Sequence, residues 1–125
     1  MRIVLSGSSK VKENVFQVAE KLGDKGYEVV VPKEFITDLE KKEASIRHFD
    51  EICKDETDIL LAVNEPKNGI ENYIGPNTFA EIAMAFYKEK KVYVLNDLYK
   101  PYLDELEGWG VIPLKGDLDK LKNED

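Results

Sequence analysis

The chain has 125 residues, enough for one domain with a substantial core, and its 42% hydrophobic and 34% charged residues are typical of a soluble globular protein. Its formal charge of −7 disfavours binding to a nucleic acid polymer, because affinity for the phosphate backbone comes mainly from clustered Lys and Arg. One cysteine, Cys53, rules out an internal disulfide and favours a cytoplasmic location, and no apolar run approaches the roughly 20 residues of a membrane helix.

The first half of the chain alternates strand and helix patterns. The predicted elements are strand 2–6, helix 11–22, strand 27–32 and helix 40–54. The first strand ends in Gly7-Ser8-Ser9, the first helix closes at Gly23, and Pro32 stops the second strand. This half therefore predicts two strand–helix units.

The second half continues the alternation. The predicted elements are strand 57–64, helix 79–87, strand 91–96, helix 101–107, strand 108–114 and a brief terminal helix. The apolar run 57–64 is continuous, which is typical of a strand buried on both faces. The acidic end, residues 122–125, is expected to be frayed.

The order βαβαβαβαβα predicts a single α/β domain over residues 1–125. Its expected architecture is a doubly wound, Rossmann- or flavodoxin-like five-stranded parallel sheet with helices on both faces. Ligands bind such sheets beyond the carboxyl ends of the strands, at the switch point. Gly7-Ser8-Ser9, the loop 64–77 and Asn96-Asp97 therefore mark the expected site.

The turn Gly7-Ser8-Ser9 is the first candidate binding segment. Glycine allows a sharp turn, and Ser hydroxyls with free backbone N–H groups at a helix start suit an anion. The alternative interpretation is a simple strand-to-helix turn with a serine N-cap. The segment matches neither a dinucleotide fingerprint nor a Walker loop.

Asp50 is the second candidate. Helical spacing places Ile46, Asp50 and Cys53 on neighbouring positions, so that Asp50 flanks the expected apolar stripe and His48 faces solvent. A carboxylate on a core-facing edge needs a reason, because burying it unpaired costs several kcal/mol. The alternative interpretation is an ion pair or a backbone cap.

Glu81 is the third candidate. Residues 78–81 fit a capping box, in which the glutamate folds back on the N-cap amide. A sheet-facing stripe of Phe79, Ile82, Ala83 and Phe86 would leave Glu81 pointing away from the sheet. The helix start also favours the carboxylate form, which a nucleophile needs. The pattern thus leaves both a cap and a nucleophile open.

Few other reactive residues are present. One His and one Cys exclude the common zinc ligand sets, and a Ser-His-acid triad would need His48, which is expected to face solvent. Two acids in one crevice remain, and paired carboxylates suit chemistry at the anomeric centre of a sugar.

Two segments, FDEICKDETDILLAVN (49–64) and TFAEIAMAFYKEKKVYVL (78–95), resemble the core of the nucleoside 2-deoxyribosyltransferase superfamily, which includes deoxynucleoside 5′-monophosphate N-glycosidases. Asp50 falls on the family's active-site Asp, eight positions before Asp58, and Glu81 falls on its nucleophilic Glu. The SGSS segment resembles the first-strand loop of the hydrolase branch. There Gly7, Ser8 and Ser9 would hold the sugar and the 5′-phosphate.

The resemblance implies a retaining displacement without cofactor or metal. Glu81 would attack C1′ of the deoxyribosyl group and release the base, and Asp50 would orient the substrate or help to protonate the departing base. Asn77 and Tyr73 would orient Glu81 or stack on the base, although a turn former and a loop anchor are equally good interpretations. The partner would be a small nucleoside or nucleotide. Hydrolase and transferase both stay open, as do base identity and phosphate preference.

A homo-oligomer is also expected, because the helix 79–87 is apolar on nearly all sides and a partner could cover Ala80, Met84 and Tyr87. Two other functions stay open. One is a non-catalytic nucleotide-binding or sensing domain on the same fold. The other is a flavodoxin-like FMN protein, in which Tyr73 and Tyr99 would flank the flavin.

Overall fold

The computed structural model describes residues 1–121; the end at 122–125, where fraying is expected, lies outside the described residues. The strands are β1 (Arg2–Ser6), β2 (Glu28–Val30), β3 (Thr57–Ala62), β4 (Lys91–Val94) and β5 (Ile112–Pro113). The helices are α1 (Lys12–Asp24), α2 (Lys41–Cys53), α3 (Pro76–Tyr87) and α4 (Leu103–Gly108). Short 3-10 turns occupy Ser9–Val11, Lys33–Phe35, Lys100–Tyr102 and Leu118–Lys120.

The strands form one all-parallel sheet in the order β2-β1-β3-β4-β5. This order confirms the predicted doubly wound α/β fold. The two edge strands are shorter than predicted, since β2 pairs over three residues and β5 over two. Within the described residues the expected terminal helix is a single 3-10 turn, Leu118–Lys120.

Both faces of the sheet are buried by alternating side chains of the central strands. Ile3 and Leu5 of β1 pack in the cluster that contains α1, whereas Val4 packs in the cluster of α2, α3 and α4. Full burial of an aliphatic side chain contributes about 1.5–3 kcal/mol. Every residue of β1 is buried, as expected for a central strand covered on both faces.

The chain leaves β1 through Gly7, where α1 approaches the sheet closely. A Cβ at this position would lie 3.1 Å from Cγ2 of Val15 and 3.4 Å from the carbonyl oxygen of Val63. A side chain would therefore push α1 away from the sheet. Glycine is needed here because a side chain would not fit. The position is also the switch point of the sheet, where β2 and β3 flank β1 and the connections that leave β1 and β2 run over opposite faces.

The loop after β3 is ordered by backbone and amide hydrogen bonds. Asn68 and Gly69 both have positive φ, 51° and 78°, and the flanking Lys67 and Ile70 exchange two backbone hydrogen bonds of 3.1 and 2.9 Å. This is the geometry of a two-residue type I′ turn. Buried Asn64 ties the loop to the end of β4, since its Oδ1 accepts from the N–H of Asn96 at 2.9 Å. The loop thus has a fixed course over the sheet edge.

None of the helices within residues 1–121 combines the length and apolarity needed to cross a membrane.

Candidate active site

A cavity of about 260 Å³ opens at the carboxyl ends of β1, β2 and β3. Three loops and the starts of α2 and α3 form its wall. The lining residues are Gly7, Ser8, Ser9, Pro32, Glu34, Lys41, Lys67, Tyr73, Gly75, Pro76, Asn77, Thr78 and Glu81. The position is the one at which parallel α/β sheets bind their ligands.

Glu81 brings a nearly enclosed carboxylate to this cavity. Its side chain is 12% exposed, and the Ser6 hydroxyl at the end of β1 donates a hydrogen bond to its Oε1. The helix begins earlier than the capping-box pattern indicates, with Gly75 as N-cap, Pro76 in the first turn and no side-chain cap. The capping-box interpretation is therefore wrong, because Glu81 lies in the second turn and is bonded to the sheet.

Burial raises the pKa of the Glu81 carboxyl to about 7. The negative charge of Glu34 acts in the same direction, while the Ser6 hydrogen bond and the charge of Lys41 lower the pKa of Glu81. The helix start is expected to favour the carboxylate form, but Glu81 lies beyond the first turn, and burial raises its pKa more than Ser6 and Lys41 lower it. Near neutral pH the carboxyl group therefore exists in both forms.

The α3 stripe that faces the sheet also differs from the prediction. Its buried residues are Thr78, Ile82 and Ala85, whereas Phe86 is 42% exposed. The sheet-facing side is thus displaced around the helix, and this displacement turns Glu81 toward β1.

His48, predicted to face solvent, is 3% exposed and lies in the buried side of α2. Its Nε2 lies 2.9 Å from the carbonyl oxygen of Leu5, so Nε2 must carry the hydrogen that this bond requires. The same nitrogen lies 3.8 Å from Oε1 of Glu81. Desolvation lowers the pKa of His48, which favours the neutral ring. Within residues 1–121 its Nδ1 has no hydrogen-bond partner.

Asp50 does not share the cavity with Glu81. Its side chain is exposed and lines a separate surface depression with Lys33, Arg47 and Lys54. The placement of Asp50 beside a buried stripe is wrong, because the buried residues of α2 are Ala44, His48, Glu51 and Ile52. Ile46, assigned to that stripe, is 46% exposed. Because His48 is polar, the sequence pattern does not indicate that its side of α2 is the buried one.

The predicted anion-binding turn lies in the cavity with two lysines that the sequence analysis missed. Gly7, Ser8 and Ser9 line one wall, and Lys41 and Lys67 line the same space. The Ser8 hydroxyl accepts a 3.3 Å hydrogen bond from the backbone N–H of Lys10, so Ser8 also caps the 3-10 turn. The segment Gly7-Ser8-Ser9 is therefore both a strand-to-helix turn with a serine N-cap and part of the cavity wall.

Tyr73 and Asn77, both predicted from the sequence, line the cavity as well. Nζ of Lys67 lies 4.9 Å from the centre of the Tyr73 ring, within the range of a cation–π interaction. Tyr73 and Tyr99 meet edge to face at a centroid distance of 5.7 Å, so they do not form a parallel pair that would enclose a flavin. Within residues 1–121, no three His, Cys, Asp or Glu side chains cluster closely enough to hold a metal ion.

Of the residues missed, only Lys67 had a local signal. It precedes Asn68-Gly69, a pair typical of a tight two-residue turn. The others come together only through the order of the strands in the sheet, which a local sequence pattern does not indicate for single side chains. They are Ser6, Glu34, Lys41 and His48.

No protein family model and no curated protein sequence matches the chain. Among solved structures, the chain is similar to a CMP N-glycosidase from Clostridium botulinum, BcmB, with a TM-score of 0.60 and 23% identity. The similarity covers 90% of this chain and 87% of that chain. It confirms the fold that the resemblance to nucleoside 2-deoxyribosyltransferases implies.

Proposed function

We propose that the chain cleaves the N-glycosidic bond of a deoxynucleoside or nucleoside 5′-monophosphate, with Glu81 as nucleophile. The observation that carries this proposal is the Glu81 carboxylate, which is largely buried in a cavity lined also by lysines and serines that suit an anion and by the ring of Tyr73, which suits a planar base. Glu81 also occupies the position of the nucleophile in the sequence resemblance. The fold likeness to a CMP N-glycosidase supports the same reaction class.

The first step is a displacement at C1′ of the sugar. The ionised Glu81 attacks C1′, the bond from C1′ to the base nitrogen breaks, and the base leaves with the bonding pair. The Ser6 hydroxyl orients the attacking carboxylate, and enclosure of the side chain limits competition from water. The product of this step is a glycosyl ester on Glu81. Water or a second base then resolves it.

The cavity wall suggests how the substrate is oriented. Gly7, Ser8 and Ser9 offer hydroxyl and backbone donors, and Lys41 and Lys67 add positive charge, so a 5′-phosphate would bind at this wall. Tyr73 offers an aromatic ring to the sugar or base. We therefore expect monophosphates to be better substrates than nucleosides.

The test is incubation of the protein with a panel of deoxynucleosides and their monophosphates, with and without a second free base. Release of base without an acceptor identifies a hydrolase, and exchange only in its presence identifies a transferase. Glu81→Gln is the matched control and should release no base. Calorimetric binding of a nucleotide without any release or exchange would instead support the non-catalytic binding domain.

A further inference from the structure

A second carboxylate, that of Glu34, lines the same cavity as Glu81. Glu34 lies in the 3-10 turn Lys33–Phe35 after β2, and β2 is the neighbour of β1 in the sheet. Phe35 anchors this turn, because its ring is buried and packs edge to face on Phe16 at a centroid distance of 6.1 Å. The hydrophobic core thus holds Glu34 at the cavity wall.

The surroundings of Glu34 differ from those of Glu81. The side chain of Glu34 is 38% exposed, whereas that of Glu81 is 12% exposed. Nζ of Lys41, which also lines the cavity, lies 3.8 Å from Oε2 of Glu34. Water therefore reaches Glu34 and a lysine balances its charge, while Glu81 is largely shielded from solvent.

The two carboxylates line the same cavity, and the negative charge of Glu34 acts on the carboxyl group of Glu81. Burial is the main cause that raises the pKa of Glu81 to about 7, and the negative charge of Glu34 adds to it. Asp50, which the sequence resemblance pairs with Glu81, lines a different depression. Glu34 is thus the acid that the fold places with Glu81.

We infer that Glu34 is the general base of the second step, in which the glycosyl ester on Glu81 is resolved. This inference rests on the proposed function. The acceptor, water or a second base, attacks C1′ as the bond from C1′ to the Glu81 oxygen breaks. The bonding pair returns to Glu81. The proton of the acceptor passes to Glu34 and from there to solvent.

The division of roles follows from the two environments. A nucleophile needs a fixed orientation and few competing waters, which the Ser6 bond and burial give to Glu81. A general base must reach the acceptor and exchange its proton with solvent, which the partly exposed Glu34 can do. Two carboxylates with different surroundings commonly divide such roles in glycoside cleavage.

The experiment compares rapid and steady-state base release by wild type, Glu34→Gln and the control Glu20→Gln, a change at an exposed residue of α1 outside the cavity. We expect Glu34→Gln to release about one equivalent of base rapidly and then turn over about 100-fold more slowly, since general bases contribute roughly 10²–10⁴-fold. Intact-protein mass spectrometry should show the glycosyl-enzyme accumulating. Azide, an anion with no proton to lose, should restore turnover. Glu20→Gln should keep both steps.

Equal slowing of the burst and of the steady state in Glu34→Gln, without a glycosyl-enzyme and without rescue by azide, would overturn the role of Glu34. Unchanged turnover would overturn it too. Either result leaves the proposed function standing as long as wild type releases base or exchanges it with a second base. Absence of both base release and base exchange by wild type would instead overturn the proposed function. Glu34→Ala provides the same readouts if the glutamine variant does not fold.

Discussion

The hydroxyl of Ser6, the last residue of β1, donates a hydrogen bond to Oε1 of Glu81 in α3. The bond joins the central strand β1 to α3, the helix that connects β3 with β4. The sheet therefore orients the carboxylate. Nε2 of His48 lies 3.8 Å from the same oxygen and is itself held by the Leu5 carbonyl. The orientation of Glu81 is therefore built into the folded protein before any substrate binds.

The first prediction concerns pH. Because burial raises the pKa of Glu81 to about 7 and only the ionised form is a nucleophile, kcat/KM should rise with pH, be half-maximal near pH 7 and level off above about pH 8. A deoxynucleoside without phosphate is the suitable substrate, since a phosphate would titrate in the same range. A rate that is flat from about pH 5 to 8 would contradict an ionisable nucleophile of this kind.

The second prediction concerns Ser6→Ala. The Ser6 hydrogen bond lowers the pKa of Glu81, so its loss should raise that pKa and move the pH–rate profile to more alkaline pH. A hydrogen bond to a charged group contributes about 1.5–3 kcal/mol, so activity at neutral pH should fall about tenfold or more. Ser45→Ala, on α2 outside the cavity, is the control and should keep the wild-type profile. A lower rate with an unshifted profile would show that the Ser6 hydrogen bond does not set the pKa of Glu81.

The third prediction tests the phosphate wall with neighbouring lysines. Lys41 lines the cavity and Lys42 does not, although both are exposed in the first turn of α2. Lys41→Gln should raise KM for monophosphates more than for nucleosides, and Lys42→Gln should change neither. Ser8→Ala and Ser9→Ala should follow Lys41→Gln in this preference. Equal effects on both substrate classes would show that the wall binds no phosphate.

The fourth prediction is a homo-oligomer, at least a dimer. The outer side of α3 leaves Ala80 exposed and Tyr87 80% exposed, so an apolar face remains uncovered in one chain. Light scattering should give a mass of at least two chains at micromolar concentration, and Tyr87→Glu should reduce it. Ile36→Glu, a change at another exposed apolar residue, is the control. A monomeric mass for wild type would refute the prediction.

The fold can be predicted from the sequence because the apolar runs and the order of strands and helices indicate the same architecture. A continuous apolar run identifies the buried β3, and the alternation of strands and helices fixes a parallel sheet. The edge strands are harder to delimit, since β2 and β5 pair on one side only and their residues are partly exposed. Their predicted lengths are accordingly too long.

The site is only partly predictable, because it depends on contacts between distant segments. A local motif and its loop predict Glu81, Tyr73 and Asn77, and the structure brings these residues together in the cavity. The sequence predicts the wrong side of α2 for His48, since the burial of His48 depends on a bond to the Leu5 carbonyl that no local pattern shows. The same error affects Asp50, because it lies on the same helix, and the side of α2 that is buried leaves Asp50 exposed.

The most direct test of the account is to trap the glycosyl-enzyme. A 2-deoxy-2-fluoro-arabino nucleoside or its monophosphate should slow the second step, since fluorine destabilises the developing positive charge at C1′. Peptide mapping by mass spectrometry should then place the sugar on the carboxylate of Glu81, and Glu81→Gln should fold normally but carry no sugar and release no base. A sugar on another residue, or near-wild-type turnover by Glu81→Gln, would show that Glu81 is not the nucleophile.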